Sequence, residues 1–263
     1  MQYKTKAKKS LGQNFLIDKN IINKIINLSY IKNKNILEIG PGKGSLTKEI
    51  LKREPKNLIL IEKDDTLCNS LKKEYNNNKK VKIFCEDFLK FKIEGIKEKE
   101  IIVFGNLPYN ISSQILIKFL RLKNLNTHFK ELIFMFQKEL GEKIIGNTNS
   151  HYGRLSIVRN YKLKILKKFL VSNNCFSPKP SVKSMVIKFK PKNMNGKKIK
   201  NILNLEKITN ILFSNKRKMI NKGLRKILSS DKIRLISDIR LDQRPTNIKP
   251  EIYYKITELY EQS

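Results

Sequence analysis

Acidic side chains are scarce in this sequence, cysteines are few and scattered, and long apolar runs are missing. Each shortage excludes something. No apolar run reaches the roughly 18 residues that a membrane-spanning helix needs, so no helical span is expected. The basic opening "MQYKTKAKKS" leads into no apolar signal core, and the protein is expected to stay in the cytoplasm. Cys68, Cys85 and Cys175 show no Cys-x-x-Cys spacing, and the chain has only 2 His. Three reduced thiols are therefore expected, with no disulfide framework and no metal site.

The shortage of acids is the most informative. Asp and Glu total 23 against 56 Lys and Arg, a formal net charge of +33. Abundant Lys, Asn and Ile fit an AT-rich genome, but that bias would favour Glu codons as well. A polyanionic partner accounts for the deficit, because each cation placed near a phosphate releases counterions on binding. An anionic membrane surface is the weaker reading, since no segment reads as a basic amphipathic anchor.

What is present describes a globular α/β protein. The 263 residues, 40% of them hydrophobic, suffice for one large domain or for one large and one small. There is no internal repeat. "KNIINKIINL" has helical spacing, and then five short apolar runs read as strands: "NILEIG", "NLILIE", "VKIFCED", "IIVFGN" and "ELIFMFQ". Helix-compatible segments such as "SLTKEILKR" and "SSQILIKFLRL" lie between them. Buried strands alternating with helices indicate a parallel, doubly wound, Rossmann-like sheet with helices on both faces, which binds ligands at its carboxyl edge. "KLKILKKFLV" and "VKSMVIKFK" predict two more strands. Beyond a polar linker, "LEKITNILFSNKRKMINKGLRKIL" and "KPEIYYKITELYEQ" predict helices only. The expected division is a sheet domain over 1–190, a linker over 191–200 and a small all-helical domain over 201–263.

Three strand ends carry candidate chemistry. The first opens into Gly40, Gly42 and Gly44, whose missing side chains let backbone approach a ligand. It is no Walker A loop, because Lys43 is followed by glycine where Ser or Thr would hold magnesium, and it lacks the glycine spacing of the dinucleotide fingerprint. Glu62 closes the second strand about 20 residues on, where an acid commonly binds a ribose diol. Asp87 closes the third. Either acid alone reads as a solvated loop charge, but in register with the glycines they suit a cofactor containing adenosine.

The fourth strand ends in Asn106-Leu107-Pro108-Tyr109. Such a turn can serve adenine's 6-amino group, a poor nucleophile whose lone pair is delocalised into the ring. The Asn106 side-chain oxygen and the Leu107 carbonyl, exposed by the bend at Pro108, are two acceptors that orient the nitrogen. Tyr109 can stack on the base. In-line alignment with a sulfonium methyl supplies most of the rate.

These residues carry a resemblance. "GNLPYN" resembles the catalytic signature of methyltransferases acting on adenine amino groups, and "EIGPGKGSLT" resembles their S-adenosylmethionine turn. "KKSLGQNFL", "VFGNLPYNISS", "YGRLSIVRNY" and "FSPKPSVKSMV" are, in order, similar to motifs of the small-subunit ribosomal RNA adenine dimethyltransferases, the kasugamycin-sensitivity enzymes. The resemblance runs from Lys8 to about Lys190 and more faintly beyond. It implies a class I methyltransferase fold and dimethylation of two adjacent adenosines in a 3′-terminal hairpin of small-subunit rRNA. It implies cofactor contacts at Asn14, Leu16, Gly40, Gly42, Glu62, Asp87 and Asn106, and no metal. It also sets Phe176 opposite Tyr109 around a splayed-out base, although the residues alone read equally well as a core aromatic beside a proline turn.

Lys216, Arg217, Lys218, Lys222, Arg225 and Lys226 would share one helix that grips rRNA phosphates, as the basic amino terminus would also do. A solvated helix face and a loose tail are the plain alternatives. The large-subunit enzymes of macrolide resistance share this chemistry, but Gly12, Leu107 and "YGRLSIVRNY" resemble the small-subunit group more. A non-catalytic RNA-binding factor and a DNA adenine methyltransferase are further alternatives. The intact catalytic turn opposes the first; the second would need a domain that reads duplex base edges, whereas the small helical tail suits docking on structured RNA. Nothing requires more than a monomer.

Overall fold

Four runs of branched and aromatic residues, too apolar to face water on either side, form the centre of a parallel sheet. The computed structural model describes residue 8 and residues 12–146, 152–194, 196 and 198–262. Its strands are β1 (Phe15–Leu16), β2 (Asn35–Ile39), β3 (Asn57–Glu62), β4 (Val81–Cys85), β5 (Ile101–Asn106), β6 (Phe129–Gln137), β7 (Leu163–Val171), β8 (Phe176–Ser177) and β9 (Ser184–Pro191). Its helices in the first part are α1 (Lys19–Ile26), α2 (Ser45–Leu51), α3 (Asp65–Tyr75), α4 (Ser112–Arg121), α5 (Leu125–His128) and α6 (Lys138–Ile145). Then follow α7 (Arg154–Lys162), α8 (Ile202–Phe213), α9 (Asn221–Leu224), α10 (Ser230–Arg234) and α11 (Pro250–Tyr260).

The main sheet has the order β4-β3-β2-β5-β6-β9-β7. The first five strands pair in parallel and β9 is antiparallel to β6. Helices cover both faces, as the alternating pattern predicts. The strand order reverses between β2 and β5, where Ile39 stands beside Gly105. Such a switch point opens a crevice at the carboxyl edge, and the two turns singled out by sequence, at Gly40 and Asn106, flank it. A second, two-strand sheet was not expected: β1 pairs antiparallel with β8, setting Leu16 beside Phe176.

Three expectations need correction. The chain divides into two compact units, residues to Gly141 with Ile165–Pro191, and Glu142–Lys164 with the residues from Lys192 on. Residues 1–190 are thus not one unit, because α7 packs with α8 and α11. The buried Arg159 guanidinium donates to the carbonyls of Ile144 (3.0 Å) and Ile145 (2.8 Å), closing the open end of α6, and the Tyr254 hydroxyl donates to Ile157 O. Partners nearly a hundred residues apart leave no local trace.

The thiols are the second correction. Cys68 on α3 and Cys85 at the end of β4 are joined by a disulfide, Cα–Cα 5.6 Å apart. Packing of α3 beside β4 brings them within bonding range, which their spacing of 17 conceals. Cys175 is free and buried. Third, the basic run after α8 is not one helix. Lys216, Arg217 and Lys218 lie in a turn, Lys222 on the four-residue α9, and Arg225 and Lys226 in the next turn. The chain bends there to bury Ile220, whose N–H donates to Gln243 O, and Leu224. The amino-terminal basic segment, Lys8 apart, lies outside the described residues. Among those described, no helix is long and apolar enough to cross a membrane.

Candidate active site

The crevice is built from turns that the strands cannot continue. After β2, Gly40 and Gly42 adopt φ of +64° and +60°, a region that side chains disfavour. A Cβ on Gly42 would also stand 3.1 Å from the Phe15 ring, so this turn needs glycine twice over. It delivers the Gly42 N–H to Glu62 Oε2 at 2.9 Å, while the Asp64 N–H reaches Glu62 Oε1 at 2.9 Å. Glu62 is nearly buried. Burial raises its pKa, and the Asp64 and Gly42 amides oppose the rise by stabilising the carboxylate.

Asp64 joins this acid to the amino-terminal segment. It caps α3 by accepting from the Thr66 and Leu67 amides, and also receives Lys8 Nζ (3.0 Å) and Gln13 Nε2 (2.9 Å). Burial raises its carboxyl, but Lys8, Gln13 and the Leu67 amide outweigh that and hold it below the ordinary value. Gln13 leads into Asn14, whose carbonyl accepts from Asn106 Nδ2 at 2.9 Å. This bond fixes the Asn106 carboxamide. With its nitrogen committed, its oxygen is the group offered to a partner.

Asp87, after β4, pairs with Lys63 at 2.8 Å and accepts the Leu89 N–H. Burial raises its pKa, while Lys63 and the Leu89 amide bring it below the usual range. On the opposite rim the Leu107 side chain folds back on Gly105, where a Cβ would meet it at 2.5 Å. The Tyr109 hydroxyl shares a 2.6 Å hydrogen bond with the fully buried Ser184 Oγ, which pins one end of the ring.

One cavity is lined by Asn14, Leu16, Gly40, Gly42, Glu62, Asp87 and Asn106 through Tyr109. Every site residue predicted from sequence is brought there except Phe176. Phe176 is 3% exposed and sits in the core with Leu16, Ile22 and Ile25, so the expected aromatic sandwich is not formed in this structure. The sequence reading missed Asp64, Gln13 and Ser184. Asp64 had a signal, an acid just before a helical run at a capping position. Gln13 lay inside a quoted motif. Ser184 had none.

The residues fit S-adenosylmethionine. Gly40 and Gly42 line the cavity, and Glu62 presents a carboxylate already oriented by the Gly42 and Asp64 amides. Among the described residues no group of His, Cys, Asp or Glu is placed to hold a metal.

Comparison with known proteins agrees with this geometry. The model of the family described as ribosomal RNA adenine dimethylase matches residues 4–262. A ribosomal RNA small subunit methyltransferase A of Pelagibacter ubique is 45% identical over 97% of both chains. One from Mycoplasmopsis synoviae is 40% identical over 87% of this chain and 86% of its own. A dimethyladenosine transferase from Plasmodium falciparum, 27% identical, superposes with a TM-score of 0.75 over 92% of this chain and 95% of that one. The 23S rRNA methyltransferase ErmE shares the fold, with a TM-score of 0.71 at 21% identity over 95% of this chain and 100% of its own. The class I methyltransferase fold and its use of S-adenosylmethionine follow, and the chain belongs to the ribosomal RNA adenine dimethylase family.

Proposed function

We propose that this enzyme dimethylates the 6-amino groups of two adjacent adenosines in a 3′-terminal hairpin of small-subunit rRNA, as a cytoplasmic monomer acting during subunit biogenesis. The observation that carries the reading is the Asn106 carboxamide, held by Asn14 O at the rim of the cavity with its oxygen available. That oxygen accepts one N–H of the adenine amine, and the Leu107 carbonyl accepts the other. The lone pair then lies on the nitrogen rather than in the ring, directed into the cavity. Tyr109, its hydroxyl tied to Ser184, offers a ring face for the base to stack on. Phe176 is left out of this role because its ring is enclosed in the core.

Bound S-adenosylmethionine supplies a methyl on a cationic sulfur, which needs alignment and no strong base. Glu62 accepts from its ribose, Asp87 from its base, and the Gly40–Gly44 turn backs it. Asn14 and Leu16 close the cavity from the amino-terminal side. Lys216, Arg217, Lys218, Lys222, Arg225 and Lys226, all exposed on the second unit, meet rRNA phosphates.

The test is methyl transfer from labelled S-adenosylmethionine to unmethylated small subunits and, in parallel, to deproteinised large-subunit rRNA. Dimethyladenosine confined to the small subunit is expected. Label on large-subunit rRNA alone would assign the chain to the resistance group. No transfer to either would leave a binding factor on a methyltransferase fold.

A further inference from the structure

The turn that carries Asp87 is anchored twice. Its N–H groups point at Asp87 itself: Leu89 N donates to Oδ1 (2.9 Å), and Lys90 N (2.8 Å) and Phe91 N (3.0 Å) donate to the main-chain oxygen. Its carbonyls point the other way and converge on one ammonium. Lys118 Nζ donates to Phe88 O (2.8 Å), Leu89 O (2.8 Å) and Phe91 O (2.6 Å). An ammonium has three donors, and these contacts use all of them.

The neighbouring residue holds the same turn by its ring. Phe88 stacks on Phe119 with centroids 5.6 Å apart and planes at 23°, and Lys118 Nζ lies 5.4 Å from the Phe88 centroid. Asp87 and Phe88 both line the cavity. Lys118 and Phe119 sit on α4, which begins three residues after Tyr109 and whose Ser112 Oγ donates to Tyr109 O at 3.1 Å. One helix thus carries the catalytic turn at its start and clamps the Asp87 turn two helical turns later.

We propose that Lys118 is a positioning residue for the cofactor: it fixes residues 87–91 so that Asp87 and Phe88 meet the adenine of S-adenosylmethionine in a preset geometry. A turn whose carbonyls had no common donor would sample other arrangements, and binding would then bear the cost of ordering it. This rests on the reading that the cavity holds S-adenosylmethionine.

The test compares wild type, Lys118→Met, which keeps the aliphatic stem and removes the donors, and Lys118→Arg, which restores them. S-adenosylhomocysteine affinity is measured by calorimetry, and KM and kcat by methyl transfer. Loss of the clamp should raise Kd and KM for the cofactor about tenfold, the order expected for about one net hydrogen bond. Within the same comparison kcat at saturating cofactor should stay within about twofold. Amide exchange of residues 87–91 in the free protein should quicken, and Lys118→Arg should recover most of the affinity. Unchanged Kd and KM beside a lowered melting temperature would overturn the proposal, reducing Lys118 to a stabilising residue. A fall in kcat with KM unchanged would overturn it too. If Lys118→Met does not fold, Lys118→Gln is read by the same titrations. A wild type that fails to bind S-adenosylhomocysteine would overturn the cofactor reading and this proposal with it.

Discussion

Glu38 gives the protein a pH dependence that one substitution should remove. Its carboxyl is 1% exposed on β2, where Oε2 accepts from Thr47 Oγ1 at 2.7 Å. Burial pushes its pKa from 4.5 up to about 8, against the Thr47 hydrogen bond and with a smaller upward push from Glu62. The unfolded chain gives up this proton near pH 4.5, and the folded chain keeps it until about pH 8. Between those values the native state binds more protons, so stability falls as pH rises and levels off above about 8. At about 1.4 kcal/mol for each tenfold in proton affinity, the whole effect is at most about 5 kcal/mol. Glu38→Gln keeps an oxygen for Thr47 and carries no proton to lose. In thermal melts its midpoint should match wild type near pH 4.5. It should then exceed wild type progressively, by up to about 10–20 °C above pH 8, since a chain of this size gains about 2–4 °C per kcal/mol. Parallel profiles for the two proteins from pH 5 to 9 would refute the reasoning.

Other outcomes follow from the same geometry. Asn106→Ala should cut methyl transfer by at least about a hundredfold, the usual cost of removing an oriented polar group that acts on the transition state. Cofactor binding, followed by calorimetry, should weaken but persist. Ser184→Ala frees the Tyr109 hydroxyl and should raise the KM for rRNA several-fold without changing cofactor affinity, measured by varying each substrate in turn. Asp64, held below its ordinary value of 3.8, stabilises the fold above that pH and loses its contribution as pH falls through its lower folded value. Asp64→Asn should therefore loosen the Gly12–Leu16 segment at neutral pH, seen as faster proteolysis there, and should resemble wild type in strong acid. Changing Lys216, Arg217 and Lys218 together to Gln should lower the log–log salt slope of small-subunit binding by about 3, if each meets one phosphate. An unchanged slope would remove this turn from the interface.

The parts legible in the sequence were those written in consecutive residues. β2, β3, β5 and β6 are continuous apolar runs because both their faces are covered, and the strand-end acids and glycines stand out because an apolar run stops at them. Parts made by distant pairing were not legible. Ser184 meets Tyr109 across 75 residues, and Leu16 meets Phe176 across a strand pair of two residues each. The spacing of the cysteines carries no sign of the pair, whereas the packing of α3 on β4 decides which sulfurs meet. The basic run after α8 was read by its charge, and the buried Ile220 and Leu224 turned it away from a helix.

The position of β9 bears on how the protein is made. β6 leaves the ribosome first, with an edge that pairs with β9 in the finished sheet, and β9 begins at Ser184. Synthesis between them takes roughly 2–10 s at ordinary elongation rates. For that time the segment "FKELIFMFQ" is a bare strand edge of the kind that recruits other chains. The same delay postpones the pocket, whose Tyr109 has no Ser184 to hold it and whose β1 has no β8 to pair with. The chain thus emerges with its pocket incomplete, and its yield in the cell should depend on a chaperone that shields β6 until the last strands arrive.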